Sequence, residues 1–533
     1  MASDGYDSLP ASSPPGLRMN HMLSLPTAAL AALLTACTTL PPPQDRVETT
    51  ARTDTADTRL AQSASPLVAA NPGLSGFHQF PQPHDAFAAR MLLAGAAQKT
   101  IDAQYYIWNG DQVGTLLFEA LWKAAERGVR VRLLLDDANT KGNDPTIAVL
   151  DAHPNIEVRL YNPFTQRFSR TLAYLTDFGR LNRRMHNKSF TVDNQVAVVG
   201  GRNIANEYFG AAEGLDFADI DVLAIGPVVR EVSKEFDLFW NSASAYPAAG
   251  FVGAPGPDGV AKMLDQFAQT HTDPVTVDYL KAVREAPLLT ELQGGRLALE
   301  WTTAEVIHDD PAKTLDTADR TDVLLFPTLV KRIGRPEKSL DLISPYFVPG
   351  DEGTRALTDL AKRGVKVRIL TNSLASSDES VVQAGYRQRR PELLRAGVEL
   401  YELKPDANKG SLEVRGRFGA AKVSGLHAKT YAADRARIFV GSFNFDQRSA
   451  RLNTEMGLVI DSPLFAGQMA DLFDKEFRES AYEVRLSPDG NGLQWIERSG
   501  SGAELRYDVD PETSWFKRFG VDVMSAFPIE WLL

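Results

Sequence analysis

One eight-residue pattern occurs twice in this chain: a His, a Lys two residues on and an Asp five beyond that, with 241 positions between His186 and His427. The first copy, HNKSFTVD, holds His186, Lys188 and Asp193 and leads into Gly200-Gly201-Arg202-Asn203. The second, HAKTYAAD, holds His427, Lys429 and Asp434 and leads into Gly441-Ser442-Phe443-Asn444. In both, six residues separate the Asp from the glycine and an Asn follows three after it. Matching tails on matching motifs predict two structurally equivalent halves. A chain of 533 residues, 44% of them hydrophobic, is long and apolar enough to fill two cores.

In an extended segment residues i and i+2 share a face, at about 3.3 Å of rise per residue, so His and Lys of each motif are expected to project together. Each motif is followed by a polar turn, Asp193-Asn194 or Asp434-Arg435, and then an apolar run, Val196 to Val199 or Ile438 to Val440, which predicts a hairpin. Glycines ending the second strand let backbone approach a bound group closely. Following the alternation, Asp193 and Asp434 fall on the face opposite His and Lys, where they brace the turn rather than touch a ligand. A cationic Lys and an amide Asn beside each His suit an anionic, oxygen-rich ligand. Two such sets facing each other suit one phosphodiester held between two imidazoles.

These motifs resemble the signature of the phospholipase D superfamily, His-x-Lys-x4-Asp-x6-Gly-Ser with a downstream Asn. Further stretches, IDAQYYIW from Ile101, RGVRVRLLLDD from Arg127, DFGRLNRRMHNKSF from Asp177, GGRNIANEYFG from Gly200 and FADIDVLAIGP from Phe217, are similar to its bacterial cardiolipin synthase branch. The resemblance runs from about residue 75 to the C-terminus. The duplication reaches beyond the motifs: Ala125-Glu126-Arg127-Gly128-Val129-Arg130-Val131-Arg132 recurs as Ala361-Lys362-Arg363-Gly364-Val365-Lys366-Val367-Arg368. In each half a strand precedes a helix with apolar residues at helical spacing (Leu116, Leu117, Ala120, Leu121, Ala124; Leu357, Leu360, Ala361), and the helix stops at a Gly before another apolar strand. Together these predict an α/β fold of two phospholipase D-like halves, with mixed sheets flanked by helices and the active site at a pseudo-twofold interface. The expected divisions are a signal segment at 1–37, a flexible tether at 38–72, the first half at 73–245, a connection at 246–335 and the second half at 336–533.

The resemblance implies a covalent route: one His attacks phosphorus and the other protonates the departing oxygen, then activates an incoming alcohol or water. The family ordinarily uses the N-terminal His as nucleophile, here His186. Lys188, Lys429, Asn203 and Asn444 are expected to bind the non-bridging oxygens. The alignment points to Asp219, with Asp221 as a rival, and to Glu455 as the carboxylates that orient the imidazoles. No cofactor and no catalytic metal are expected, since the motifs hold only two His, no Cys follows Cys37, and no HExxH or clustered carboxylate spacing occurs.

With 57 basic against 68 acidic residues the chain carries net −11, which disfavours a nucleic-acid partner. The local cluster Arg180, Arg183, Arg184 and Lys188 reads as a pocket for one or two phosphates. Leu23 to Thr35 is an apolar run of signal-peptide length ending in Leu34-Thr35-Ala36-Cys37, which looks like a bacterial lipobox with Cys37 lipidated. This implies a membrane-anchored lipoprotein in the cell envelope, facing the periplasm or the outside. Aromatic residues Tyr105, Tyr106, Trp108, Tyr346 and Phe347 line either a substrate channel or the core, and the C-terminal Trp515 to Leu533 either packs on the body or touches a membrane surface. Three functions follow: phosphatidyl transfer between phospholipids, as in cardiolipin synthesis from phosphatidylglycerol with phosphatidylethanolamine as a second candidate; hydrolysis of phospholipids or, less favoured, nucleic acid; and non-catalytic lipid binding.

Overall fold

The computed structural model describes residue 40 and residues 46–167, 169–212, 216–294, 296–315, 321–377, 379–405, 423–498 and 503–527. The expected signal segment, with Cys37, lies outside the described residues. The two halves build sheets with one shared order of eight strands. In the first it runs Ser75–Phe80, Asp221–Ile225, Val196–Gly200, Ser189–Val192, Thr100–Ile107, Arg130–Asn139, Ile156–Tyr161, Ala245–Pro247. In the second it runs Ala304–His308, Met456–Ile460, Arg437–Gly441, Thr430–Ala433, Ser339–Ile343, Lys366–Asn372, Glu399–Leu403, Ala481–Leu486. Glu300–Thr302 extends the first sheet, and Leu493–Arg498 with Glu504–Tyr507 extends the second. Both sheets are mixed: the strands joined by helices, such as Thr100–Ile107 and Arg130–Asn139, pair in parallel, while the motif hairpins pair antiparallel.

The helix Gln112–Glu126 shows why these segments fold as they do. The Asp111 side chain caps its start by accepting from the Gly114 N–H. Val113, Leu116, Leu117, Leu121 and Ala124 form its buried face. It stops where Gly128 takes a φ of +88°, a conformation that costs glycine little. Its counterpart Gly350–Lys362 stops in the same way at Gly364.

The motif hairpins turn through residues with φ near +50°: Asp193 and Asn194 at 51° and 51°, Asp434 and Arg435 at 53° and 53°. The Asp193 carboxylate accepts from the backbone N–H of Gln98, Lys99 and Thr100 at 3.1, 2.7 and 2.9 Å. Asp434 repeats this with Glu337, Lys338 and Ser339 at 3.0, 2.7 and 2.9 Å. Each motif Asp therefore ties its turn to the start of the neighbouring central strand, away from the imidazoles.

One apolar cluster joins the halves, with Phe77, Val199 and Val222 of the first sheet packed among Ile343, Val440 and Leu458 of the second. The sheets are thus fused through a common core, and the motif hairpins of both lie at that junction.

Two boundaries differ from the sequence reading. Residues 46–70 do not form a free tether. Arg132 and Arg159, both buried, donate to the carbonyls of Thr49 and Val47 at 2.9 and 2.7 Å, and Trp240 Nε1 donates to Thr49 Oγ1 at 2.9 Å. Composition gave a polar segment, but buried guanidiniums need carbonyl acceptors and this segment supplies them. A chain starting at residue 59 should therefore unfold at lower urea than one starting at residue 46, since each buried donor left unsatisfied costs about 1–3 kcal/mol. Equal midpoints would refute the docking of this segment. The connection at 246–335 is likewise divided between the halves: Glu300–Thr302 joins the first sheet and Ala304–His308 the second.

Candidate active site

Backbone pairing between the halves sets the geometry. Asp216–Ala218 pairs in parallel with Val423–Leu426, and the N–H groups of His427 and Ala428 both donate to the Ala218 carbonyl at 2.8 and 3.0 Å. On the other side His186 N donates to Thr454 O and Thr454 N to Arg184 O, both at 2.9 Å. Each motif His is thereby laced to the residue just before the other half's carboxylate.

The carboxylates consequently cross. His427 Nδ1 lies 2.6 Å from Asp219 Oδ2, and His186 Nδ1 lies 2.8 Å from Glu455 Oε2. With Nδ1 engaged, Nε2 is the ring nitrogen left for chemistry. Asp221 sits elsewhere: it takes the Arg90 guanidinium at 2.9 Å inside the first half. Gly201 leaves room for Asp219, since a Cβ there would meet Asp219 Oδ1 at 2.2 Å. At the equivalent position Ser442 donates its hydroxyl to Glu455 Oε2 at 2.5 Å.

Lys188 Nζ donates to the His186 carbonyl at 2.5 Å and lies 5.6 Å from the centre of the Tyr106 ring. Lys429 donates to the His427 carbonyl and approaches His427 Nδ1 at 3.0 Å, where it acts as a charge because that nitrogen already faces Asp219. Asn203 Oδ1 accepts from Ile107 N at 3.2 Å, yet its buried Nδ2 has no partner among the described residues, and neither has Asn444 Oδ1. A buried amide group without a partner is costly: Asn203 Nδ2 is a donor able to meet a ligand oxygen, whereas Asn444 Oδ1 is an acceptor and can meet only a donor. The imidazoles are only 7% and 6% exposed. Tyr106 meets His186 edge-on with centroids at 5.0 Å, and Tyr208 meets His427 at 4.9 Å. Tyr208 and Phe217, at 5.3 Å from His427, were not singled out from sequence; Tyr208 lies in GGRNIANEYFG, where nothing local marks it as facing a distant motif.

Burial and charge set the protonation states. Burial, then the ammonium groups of Lys188 and Lys429, hold His186 well below the ordinary histidine value. Burial and Lys429 push His427 down to about 3, against the pull of Asp219. Burial alone would raise Asp219, but its hydrogen bond with His427 and the nearby Lys429 and Arg202 hold it below the usual carboxylate value. Glu455, buried and opposed by Lys188, is pushed up to about 7, and burial brings Lys188 down to about 7. Both imidazoles are thus held neutral, while Asp219 stays ionised beside Lys429 and the burial that lowers Lys188 would be offset by an anionic ligand.

The basic cluster read from sequence is dispersed. Only Lys188 reaches the site. Arg184 is buried against Asp136 at 2.7 Å, Arg180 pairs with Asp177 at 2.6 Å, and Arg183 donates to the Lys313 carbonyl at 3.0 Å. Proximity in sequence placed these side chains on a short helix and a loop whose turns point them away from the strand end. Of the aromatics, Tyr106 faces the site, whereas Tyr105, Trp108 and Phe347 are core. The helix Trp515–Ser525 packs on Ser380–Arg395. Among the described residues no group of three or more His, Cys, Asp or Glu is placed to hold a metal, and no helix is long and apolar enough to cross a membrane.

The family model described as cardiolipin synthase, PLD-like domain, matches this chain twice, at residues 92–240 and 329–479. The chain belongs to this phospholipase D-like family. Cardiolipin synthase C of Escherichia coli is 47% identical over 480 residues, covering 89% of this chain and all of that protein. An uncharacterized protein of Helicobacter pylori is 31% identical over 83% of this chain and 87% of its own length. The crystal structure of a phosphatidylserine synthase from Haemophilus influenzae shares the fold, with a TM-score of 0.50 at 13% identity over 79% of this chain and 91% of that one. The protein is accordingly a phospholipase D-type phosphatidyltransferase acting on phospholipids. The two matched stretches enclose both motifs, Asp219 and Glu455, and leave out the connection between the halves.

Proposed function

We propose that this phosphatidyltransferase makes cardiolipin, moving a phosphatidyl group through a covalent phosphohistidine onto the hydroxyl of a phosphatidylglycerol. The observation that carries the reading is the crossed pair of imidazole–carboxylate contacts at 2.6 and 2.8 Å, with a lysine beside each ring and an unpartnered asparagine atom behind each motif. His186 Nε2 attacks phosphorus, a P–N bond forms, and the P–O bond to the departing alcohol breaks as His427 supplies its proton. His427 then takes the proton of the acceptor hydroxyl, whose oxygen displaces His186. Dividing one displacement into two is the gain of the covalent route, and fixed geometry removes about 7–11 kcal/mol of barrier.

The bound phosphodiester itself makes the first step possible. Lys429 is what, after burial, keeps a proton off His427. An anion paired with Lys188 and Lys429 cancels that repulsion and leaves Asp219 to hold the imidazolium. Exchange of one phosphodiester for another is close to isoenergetic, so exclusion of water by the buried, aromatic-edged site favours transfer over hydrolysis. Lipidation at Cys37, with phosphatidylglycerol as donor and phosphatidylethanolamine as a second candidate, completes the proposal; more than one acyl chain would hold the enzyme at a membrane surface. Incubating the full chain with phosphatidylglycerol alone, and again with phosphatidylethanolamine added, should yield cardiolipin. Phosphatidic acid as the main product would replace this reading with hydrolysis, and unchanged lipids would point to binding without catalysis.

A further inference from the structure

Behind each carboxylate of the site stands a buried cation, and the two halves supply it from different places. In the first half it is Arg202, which donates to the backbone carbonyls of Asp219 and Phe80 at 2.5 and 2.9 Å. The equivalent position in the second half is Phe443, stacked on Phe326, so the motif tail provides no charge there. The connection between the halves provides it instead. Asp309 and Glu455 exchange backbone contacts: Asp309 N donates to Glu455 O at 2.9 Å, and Glu455 N donates to Asp309 Oδ2 at 2.8 Å. Lys313 Nζ completes the brace, donating to Asp309 Oδ2 at 2.9 Å and to Ser449 O at 2.8 Å. Leu325 N donates to Asp309 Oδ1 at 2.6 Å and fixes the other carboxylate oxygen. Asp309, Lys313 and Glu455 are 0%, 3% and 0% exposed. Both brace residues lie outside the two stretches that the family model matches.

We propose that Asp309 and Lys313 are positioning residues of the reaction, fixing Glu455 and balancing its charge beneath His186 as Arg202 does for Asp219. This rests on His186 and Glu455 being a working pair of the transfer reaction. A buried ion pair is a weak source of stability, and placing it against the backbone of a site carboxylate gives it a function that burial alone does not explain.

The charged and titratable groups facing Glu455 come from three elements: His186 and Lys188 of the first half, Asp446 and Tyr431 of the second, and Asp309 with Lys313 of the connection. Lys188 and Lys313 favour the carboxylate; burial, Asp309 and Asp446 oppose it. The sign of each variant follows. Removing the Lys313 charge raises Glu455, so protonated Glu455 persists to higher pH and the acidic limb of kcat moves up. Removing the Asp309 charge leaves Lys313 unbalanced and moves that limb down.

The experiment measures kcat and KM of the full chain on phosphatidylglycerol in mixed micelles between about pH 5.5 and 9.5, with urea unfolding of each variant. Lys313→Gln should shift the acidic limb upward by about one pH unit, a ~10-fold loss below it that recovers at high pH, with KM unchanged. Lys313→Arg should restore the limb, and Asp309→Asn should shift it the opposite way. A loss independent of pH, or wild-type limbs in both Lys313→Gln and Asp309→Asn, would overturn the proposal. Should Lys313→Gln fail to fold, Asp309→Asn still decides it: a downward shift of the limb supports the proposal and a wild-type limb overturns it. Glu455→Gln serves as reference: if it keeps the wild-type rate and limb, the catalytic pair itself is wrong, a failure separate from that of the brace.

Discussion

His186→Ala and His427→Ala are each expected to lower kcat by about 10³-fold or more, because each removes a nucleophile or a proton carrier that no neighbour can replace. The two losses should differ in kind. With His186 as nucleophile, His186→Ala forms no phosphoenzyme at all. His427→Ala still has an attacking nitrogen, so a phospholipid whose leaving group needs no protonation should transfer its phosphatidyl group to His186, forming the P–N bond as the P–O bond to the leaving group breaks, and stall there, since nothing deprotonates the acceptor. Rapid quench with labelled lipid, followed by peptide mapping, reads the difference. Label on His427 in the His186→Ala protein would reverse the roles, and turnover within about tenfold of wild type in either variant would remove the covalent scheme. Urea unfolding should accompany both variants, because alanine keeps the backbone pairing of each motif but leaves a fully buried carboxylate without its imidazole.

The second large effect is on stability. Arg90 reaches from the helix Pro83–Ala96 into the first core, giving hydrogen bonds to Asp221 Oδ2 at 2.9 Å, the Tyr105 hydroxyl at 3.0 Å and the Ala86 carbonyl at 2.9 Å. Arg90 and Asp221 are 1% and 0% exposed. Arg90→Met leaves the buried Asp221 carboxylate with Arg202 alone, at 3.6 Å, and loses the Tyr105 and Ala86 hydrogen bonds; breaking one side of a buried pair costs about 3–5 kcal/mol, which Arg202 offsets in part. Asp219→Ala, two residues from Asp221, should cost far less in stability while removing most of the activity. Urea unfolding and turnover measured on both variants separate the two aspartates. A loss below about 1 kcal/mol for Arg90→Met would show that the ion pair is screened or dispensable.

These aspartates show where sequence reading stops. Asp219 and Asp221 are two residues apart, so strand alternation would put both on one face and cannot tell them apart; in the structure Asp219 falls between the strands Asp216–Ala218 and Asp221–Ile225. The answer depends on Ala218 being laced to His427, a contact between segments far apart in the chain. The same limit applies to Arg184, close to His186 in sequence yet turned inward to Asp136, and to residues 46–58, polar in composition yet fixed by arginines more than 80 positions away. Lys313 and Asp309 carry no motif, and only their placement against Glu455 gives them meaning.

The sequence by itself determined the duplication and the two hairpins with their bracing aspartates, because strand alternation, turn chemistry and helix periodicity act over a few residues. The tertiary structure alone decided which carboxylate serves which imidazole: Glu455 reaches His186 across 269 positions and Asp219 reaches His427 across 208. It also decided how far burial moves each group from its ordinary charge. Both depend on long-range backbone pairing and on desolvation by the opposite half, and neither leaves a local trace in the chain.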